Sequence, residues 1–332
     1  MQEDYWLPVI FMGLMALSMM IYAILDGYDL GVGILLQAAP SSDRDRMIAS
    51  IGPFWDANET WLVLAVGLML VAFPKAHGII LSTMYLPVAL MLVGLILRGV
   101  SFDFRAKART RHKSLWDLLF WIGSLLASGA QGYMLGRYIV GFDTSPSAYL
   151  FAVLSTVCVT AGYTLIGACW LIMKTNSQLQ IRAVRWAMKA LIVTAIGIVC
   201  VSIVNPLVSD RIFNRWFSYP EIIFIAPIPA LAVGLMVWNF FVLKTLPRPN
   251  DRFCWIPFVI VATVFLFSFI GLAYSFYPYV IPNQLTVWEV ASSSASLKVI
   301  LIGTLVVLPA ILLYTAYSYR VFWGKATSLR YE

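Results

Sequence analysis

Five side chains in the first third of the chain have the types and spacing for proton or cation chemistry: Asp26, Asp29, Asp56, Glu59 and Arg98. They stand in three clusters, LDGYDLGVG at Leu25–Gly33, PFWDANETW at Pro53–Trp61 and LRGVSFDFRAK at Leu97–Lys107, each set against long apolar runs. Asp26 and Asp29 are three residues apart and share one face of a helix, as Asp56 and Glu59 do in the opening turn of the next. Carboxylates in or beside a membrane span are candidate functional groups, because hydrocarbon solvates charge badly. The ordinary alternatives are a solvated interfacial cap for Asp26 and Asp29, and helix N-terminal capping for Asp56 and Glu59. Arg98 is the one base bordering the apolar part of this half. An unpaired buried charge is too costly, so Arg98 is expected to pair with Asp26, Asp29, Asp56 or Asp103; otherwise it snorkels to the surface. Burial favours the neutral form of an acid and a neighbouring cation favours the charged form. A proton relay needs the two influences near balance.

The elements that must position these residues are membrane helices. The chain has 332 residues, 61% hydrophobic and 12% charged, about half the charged fraction of a soluble domain. Apolar runs long enough to span recur almost throughout, so the fold class is an all-α polytopic membrane protein, one transmembrane domain over 1–332. Nine spans can be drawn, at 7–36, 56–74, 77–98, 116–137, 148–172, 188–207, 222–243, 255–278 and 296–323. The opening MQEDYW is acidic and lacks the basic head of a cleaved signal, so the first run is expected to stay as a helix. With the N-terminus outside, 18 of the 23 Lys and Arg residues fall on cytoplasmic segments and flanks, among them Arg105, Lys107, Arg109, Arg111 and Lys113. Lys75, Arg137, Arg211, Arg215 and Lys298 fall outside. That bias predicts N-out and C-in, and it puts all three acidic clusters at the inner face.

The first helix can run from Pro8 to Leu36, about 43 Å at 1.5 Å per residue against a hydrocarbon core of about 30 Å. Asp26 and Asp29 are therefore expected at or just past the inner boundary. Gly27, Gly31 and Gly33 would admit a close neighbouring helix. Pro40 to Arg46 reads as a polar inner link, Pro74 and Lys75 as a tight outer turn, and the third helix as returning through Pro87 to Arg98. Asp117 reads as an N-terminal acid beside an aromatic belt, Lys174 to Lys189 as an inner loop, and the tyrosines and Trp323 of LLYTAYSYRVFWGK as an interfacial girdle. Cys158, Cys169, Cys200 and Cys254 form no CxxC pair and read as core residues. The two histidines, His77 and His112, have no partner at ligand spacing, and no P-loop, CxxCH or iron–sulfur spacing is present. By itself the chain lacks redox equipment. A stand-alone cation or small-solute transporter is the competing class, although no internal repeat is evident.

Several separated motifs in order carry a resemblance over essentially the whole chain. LDGYDLGVG, PFWDANETWL, LRGVSFDFR, WEVASSSASL and LLYTAYSYRVFWGK resemble subunit II of the cytochrome bd-type quinol oxidases, especially the cyanide-insensitive branch. The resemblance implies two four-helix bundles plus one peripheral helix, with an approximate first bundle at 1–137 and the remaining helices at 148–323. It implies a complex that oxidises membrane quinol, reduces O2 to water and takes protons from the cytoplasm. The haems, b- and d-type or b-type alone, would lie in subunit I, with none bound by this chain. Subunit II would support assembly and form one wall of the proton-entry route. Asp56 matches the family's aspartate implicated in proton uptake, and Asp26, Asp29 and Arg98 match other polar positions there. A structural quinone sits in subunit II of some members, and the resemblance assigns it no residue here. It also leaves room for a small single-helix subunit beside membrane lipids, in a bacterial inner membrane. One departure is VLAVGL after WDANETWL, where many cyanide-insensitive members carry a run of glycines.

Overall fold

The computed structural model describes residues 2–108, 112–208, 210–219 and 221–326. Arg109, Arg111 and the last six residues of the chain lie outside the described residues, as do the side chains of Arg211 and Arg215.

Nine helices among the described residues are long and apolar enough to cross a membrane. They are α1 (Gln2–Leu35), α3 (Trp55–Ala72), α5 (Tyr85–Lys107), α6 (Lys113–Ile139), α7 (Pro146–Lys174), α8 (Ser177–Val208), α11 (Pro227–Lys244), α12 (Ile256–Phe276) and α14 (Ser294–Val321). Short helices join them: α2 (Ser41–Ile51), α4 (Pro74–Thr83), α9 (Asp210–Phe217), α10 (Glu221–Ile225) and α13 (Val287–Val290). Strands β1 (Tyr279–Ile281) and β2 (Leu285–Thr286) pair antiparallel between α12 and α13.

Several expected boundaries need correction. The turn at Pro74 and Lys75 is the start of a separate helix, with proline in its first turn where a missing N–H costs nothing. The third crossing helix consequently begins at Tyr85 rather than 77, and it continues past Arg98 to Lys107. Arg98 thus sits within the helix and not at its end. The Lys174–Lys189 stretch is no loop, because α8 starts at Ser177 and carries its polar residues through its first turns. The Pro40–Arg46 link is largely helical, as the opening of α2. The seventh crossing starts at Pro227, after the separate α10.

Helix α1 is the hub, packing along α3, α6 and α7 and touching α12 and α14. Helix α5 lies along α6, α7 along α8, and α11 along α12. Small residues set these approaches: Gly31 of α1 and Gly167 of α7 abut backbone to backbone, and a Cβ on Gly31 would overlap the Tyr163 carbonyl. Gly94 of α5 and Gly123 of α6 make the equivalent contact. Without a hydrophobic force between helices in lipid, such close approach supplies the packing.

Ion pairs fasten one end of the molecule. Arg44 of α2 reaches Asp117 at 3.1 Å, Arg105 of α5 binds both Asp117 and Asp45 (2.7 Å to the latter), and Arg182 of α8 pairs with Asp43. At the other end, Trp288 donates to the Tyr5 carbonyl at 3.1 Å, and the Ser292 N–H donates to the Ala72 carbonyl at 2.8 Å. Helix α14 packs thinly, with only 6% of its apolar window buried.

Candidate functional site

The site is built where α1, α3 and α5 meet. The Arg98 guanidinium donates to Asp26 at 2.6 Å and to Glu59 at 2.8 Å. Arg98 and Asp26 are almost completely buried, whereas the Glu59 side chain keeps a quarter of its exposure. One arginine therefore bridges two acids on two other helices, a use that suits its planar fork of donors. Asp26 was among the expected partners of Arg98; Glu59 was not. Asp103 is exposed, and Asp29 is engaged elsewhere.

Asp29 is fully buried and accepts a hydrogen bond from Asn58 Nδ2 at 2.8 Å. The same amide nitrogen lies 2.9 Å from the Tyr28 hydroxyl. Tyr28 and Tyr319 share a hydroxyl–hydroxyl bond of 2.6 Å, and Tyr319 also reaches Asn58 Oδ1 at 3.3 Å. The Tyr319 ring stacks on Phe54 with centroids 4.6 Å apart. Asn58 falls in the same motif as Asp56 and Glu59, but sequence reasoning places Tyr319 in the girdle and misses its bonds to Tyr28 and Asn58. Its neighbours Tyr314 and Tyr317 do face outward. No sequence signal separates it from them, because the distinction depends on which side of α14 meets α1.

Asp56 is exposed in the first turn of α3 and makes no ion pair among the described residues. It lies one turn before Glu59, at the open end of the cluster. A third polar group runs deeper: Tyr163 donates to Gln131 Oε1 at 2.8 Å, and Gln131 Nε2 donates to Tyr22 at 2.8 Å. Several buried polar atoms around the acids have no protein partner, namely Asp26 Oδ2, Asp29 Oδ1, Arg98 Nε and Ser101 Oγ. The structure thus brings Asp26, Glu59 and Arg98 into direct contact, sets Asp29 beside them through Asn58, and leaves Asp56 at the rim.

Among the described residues no three His, Cys, Asp or Glu side chains converge as a metal site. His77 lies in α4 and His112 is exposed ahead of α6.

The sequence profile described as cytochrome bd terminal oxidase subunit II matches residues 7–322. The chain belongs to that family. Subunit 2 of the cytochrome bd-I ubiquinol oxidase of Escherichia coli (strain K12) is 28% identical, over 92% of this chain and 91% of that one. Subunit 2 of the cytochrome bd ubiquinol oxidase of Bacillus subtilis (strain 168) is also 28% identical, over 96% and 95%. In fold the chain is similar to bd oxidase from Geobacillus thermodenitrificans, with a TM-score of 0.73 at 17% identity, covering 96% of this chain and 98% of the other. The cytochrome bd subunit II assignment makes this a multi-pass bacterial inner-membrane protein and part of a quinol oxidase complex, an oxidoreductase of the respiratory chain. The transporter reading has no support.

Proposed function

We propose that this cytochrome bd subunit II supports assembly of a haem-bearing subunit I and carries protons from the cytoplasm toward it, through Asp56, Glu59, Arg98, Asp26 and Asp29. The observation that carries the reading is the buried Asp26–Arg98–Glu59 bridge, open to the surface at Glu59 and flanked by Asp56. Asp56 collects a proton at the exposed rim, one turn of α3 before Glu59. Glu59 faces both the rim and Arg98, so it can pass charge inward. Arg98 holds Asp26 and Glu59 at fixed separation while its own charge stays put, since an arginine does not give up its proton. The unpartnered oxygens of Asp26 and Asp29 suit waters that complete the route, because buried polar groups are normally satisfied.

The reading extends to the parts around the chain. Haems, b- and d-type or b-type alone, belong in subunit I and supply the reduction of O2 to water by quinol. A structural quinone and a small single-helix subunit remain compatible with it. An N-out, C-in orientation is supported by the basic bias. The division into bundles at 1–137 and 148–323 sets α5 with α6 on one side and α11 with α12 on the other, with α1 and α6 packing along α7 across it. The partner is supported by a stripe on α3. Glu59, Val63, Val66 and Leu70 share one helical face, and Val63 is 71% exposed. A partly exposed, ion-paired carboxylate at the head of an apolar stripe suits a protein neighbour better than lipid.

The test is turnover per haem in purified complex carrying Asp56→Asn or Glu59→Gln. Each keeps size and removes the titrating group. Oxygen reduction driven by quinol should fall about tenfold or more with Glu59→Gln and by less with Asp56→Asn, at unchanged haem content. Wild-type turnover in both would return these acids to helix capping at a membrane surface.

A further inference from the structure

The ends of α7 and α14 and the start of α12 meet at one rim of the molecule. Two cavities adjoin there and share Tyr319 and Trp323. One, of about 190 Å³, is walled by Trp170, Trp255, Lys174, Asp251 and Lys325; the other, of about 470 Å³, is an open groove along Ala316 and Arg320.

Among the described residues the charges of this rim do not balance. Asp251 is the single acid described there, and it is already held by Lys325 at 3.3 Å and by Gln180 at 2.8 Å. Among the described residues no carboxylate pairs with Lys174 or Arg320. Lys174 is only 6% exposed. Its ammonium donates to the Phe322 carbonyl at 2.7 Å and lies over the Phe54 and Trp170 rings at 5.1 and 5.2 Å. An ammonium has three N–H donors, so two remain. Lys325 likewise donates to the Thr175 carbonyl at 2.9 Å. Helix C-terminal carbonyls carry only about half an elementary charge, too little to offset two cations. A buried cation without a counter-ion is expensive, and at a membrane surface the abundant counter-ion is lipid phosphate.

The shape agrees with a lipid and not with a free ion. One turn before the groove, Leu312 and Leu313 of α14 are exposed, and Trp255 and Trp323 stand outward beside it, as interfacial tryptophans do. A neutral ring compound would fill the aromatic wall but leave the charges uncompensated.

We propose that this rim binds an anionic phospholipid, its phosphate between Lys174 and Arg320 and one acyl chain lying along α14. The probe is a photoreactive phosphatidylglycerol added to the intact, delipidated oxidase complex, with labelled peptides mapped by mass spectrometry. Labelling should fall within residues 312–325 and be displaced by unlabelled phosphatidylglycerol. Matched phosphatidylcholine should displace it about tenfold less well, and Lys174→Gln with Arg320→Gln should cut it by about tenfold or more. Arg320 is exposed, so Arg320→Gln alone should lower labelling several-fold even where Lys174→Gln disturbs assembly. Displacement by inorganic phosphate alone, equal competition by phosphatidylcholine or a neutral quinone, or unchanged labelling of the Arg320→Gln complex would each overturn the proposal.

Discussion

Arg98 shows what a single buried side chain is asked to do. It pairs with Asp26 on α1 and with Glu59 on α3 from α5, so three helices meet on one guanidinium. Arg98→Ala strands a fully buried Asp26, and breaking such a pair costs about 3–5 kcal/mol. The expected outcome is a lower melting temperature and a lower yield of assembled complex. Arg98→Lys keeps the charge, yet a point ammonium cannot span both acids as the fork does. It should assemble nearer to wild type while turnover per haem still falls. If Arg98→Lys matches wild type in turnover, Arg98 contributes charge alone and the bridging geometry is immaterial. At the charged end of the molecule, partial burial pushes the Asp45 carboxyl up, but the hydrogen bond and charge of Arg105, joined by Lys113, outweigh it and hold it below the usual carboxylate range. The sign follows from linkage: a group depressed on folding stabilises fully above its unfolded pKa, and that contribution is lost as pH falls through the lower folded value. The stability difference between wild type and Asp45→Asn should therefore be flat above about pH 5 and shrink below about pH 4. Thermal melts across that range check it, and a constant difference would contradict the pairing.

Among the elements, the contact of α1 with α7 is the tightest constraint on where Asp26 and Asp29 point. Gly31→Ala puts a methyl group against the Tyr163 backbone, which cannot swing aside as a side chain could. Helix separation must grow, and overpacking of this kind costs about 1–3 kcal/mol or more. Gly67→Ala on α3 meets nothing within 4 Å and should be neutral. Detergent melting of the two complexes side by side separates them, and equal stability would deny that the glycines set the spacing. These glycines were legible in the sequence, as were the acids and the need of Arg98 for a partner, because close packing and buried charge leave few solutions in lipid. The start of α8 was not legible. SQLQIRAVRWAMK holds enough charge to look like a loop, and only its packing on α7 and the pairing of Arg182 with Asp43 show why it is helical. Asp117 was misjudged for a related reason: an acid at a helix start looks like a cap until two arginines from other helices are seen around it. The small strand pair before α13 was likewise unforeseen, since a few residues of pairing carry too little pattern to read.

At the scale of the whole molecule, α3 and α5 together leave an apolar side open, as α14 also does. Besides the α3 stripe, Leu86, Val93 and Ile96 of α5 are exposed. If subunit I covers this side, Val63→Arg should release the partner, whereas Leu313→Arg on the far more open α14 should leave the complex together. Size-exclusion chromatography with haem absorbance reads both, and a complex that survives Val63→Arg would place the partner elsewhere. Orientation can be checked separately by single-cysteine labelling, with a cysteine at Lys107 accessible from the cytoplasm and one at Gln284 from outside.

The place of Tyr319 also sets an order on biogenesis. Ribosomes deliver α1, α3 and α5 early, so the acids, Asn58 and Arg98 enter the membrane long before α14 exists. Until α14 follows, Tyr28 lacks its hydroxyl partner, Asn58 Oδ1 lacks its donor, and the Phe54 ring has no Tyr319 to stack on. The nascent chain therefore carries an unfinished polar centre until α14 is translated. A chain that stalls or is cut before α14 keeps eight of the nine crossings and the whole Asp26–Arg98–Glu59 bridge, yet leaves the Asn58 side unsealed.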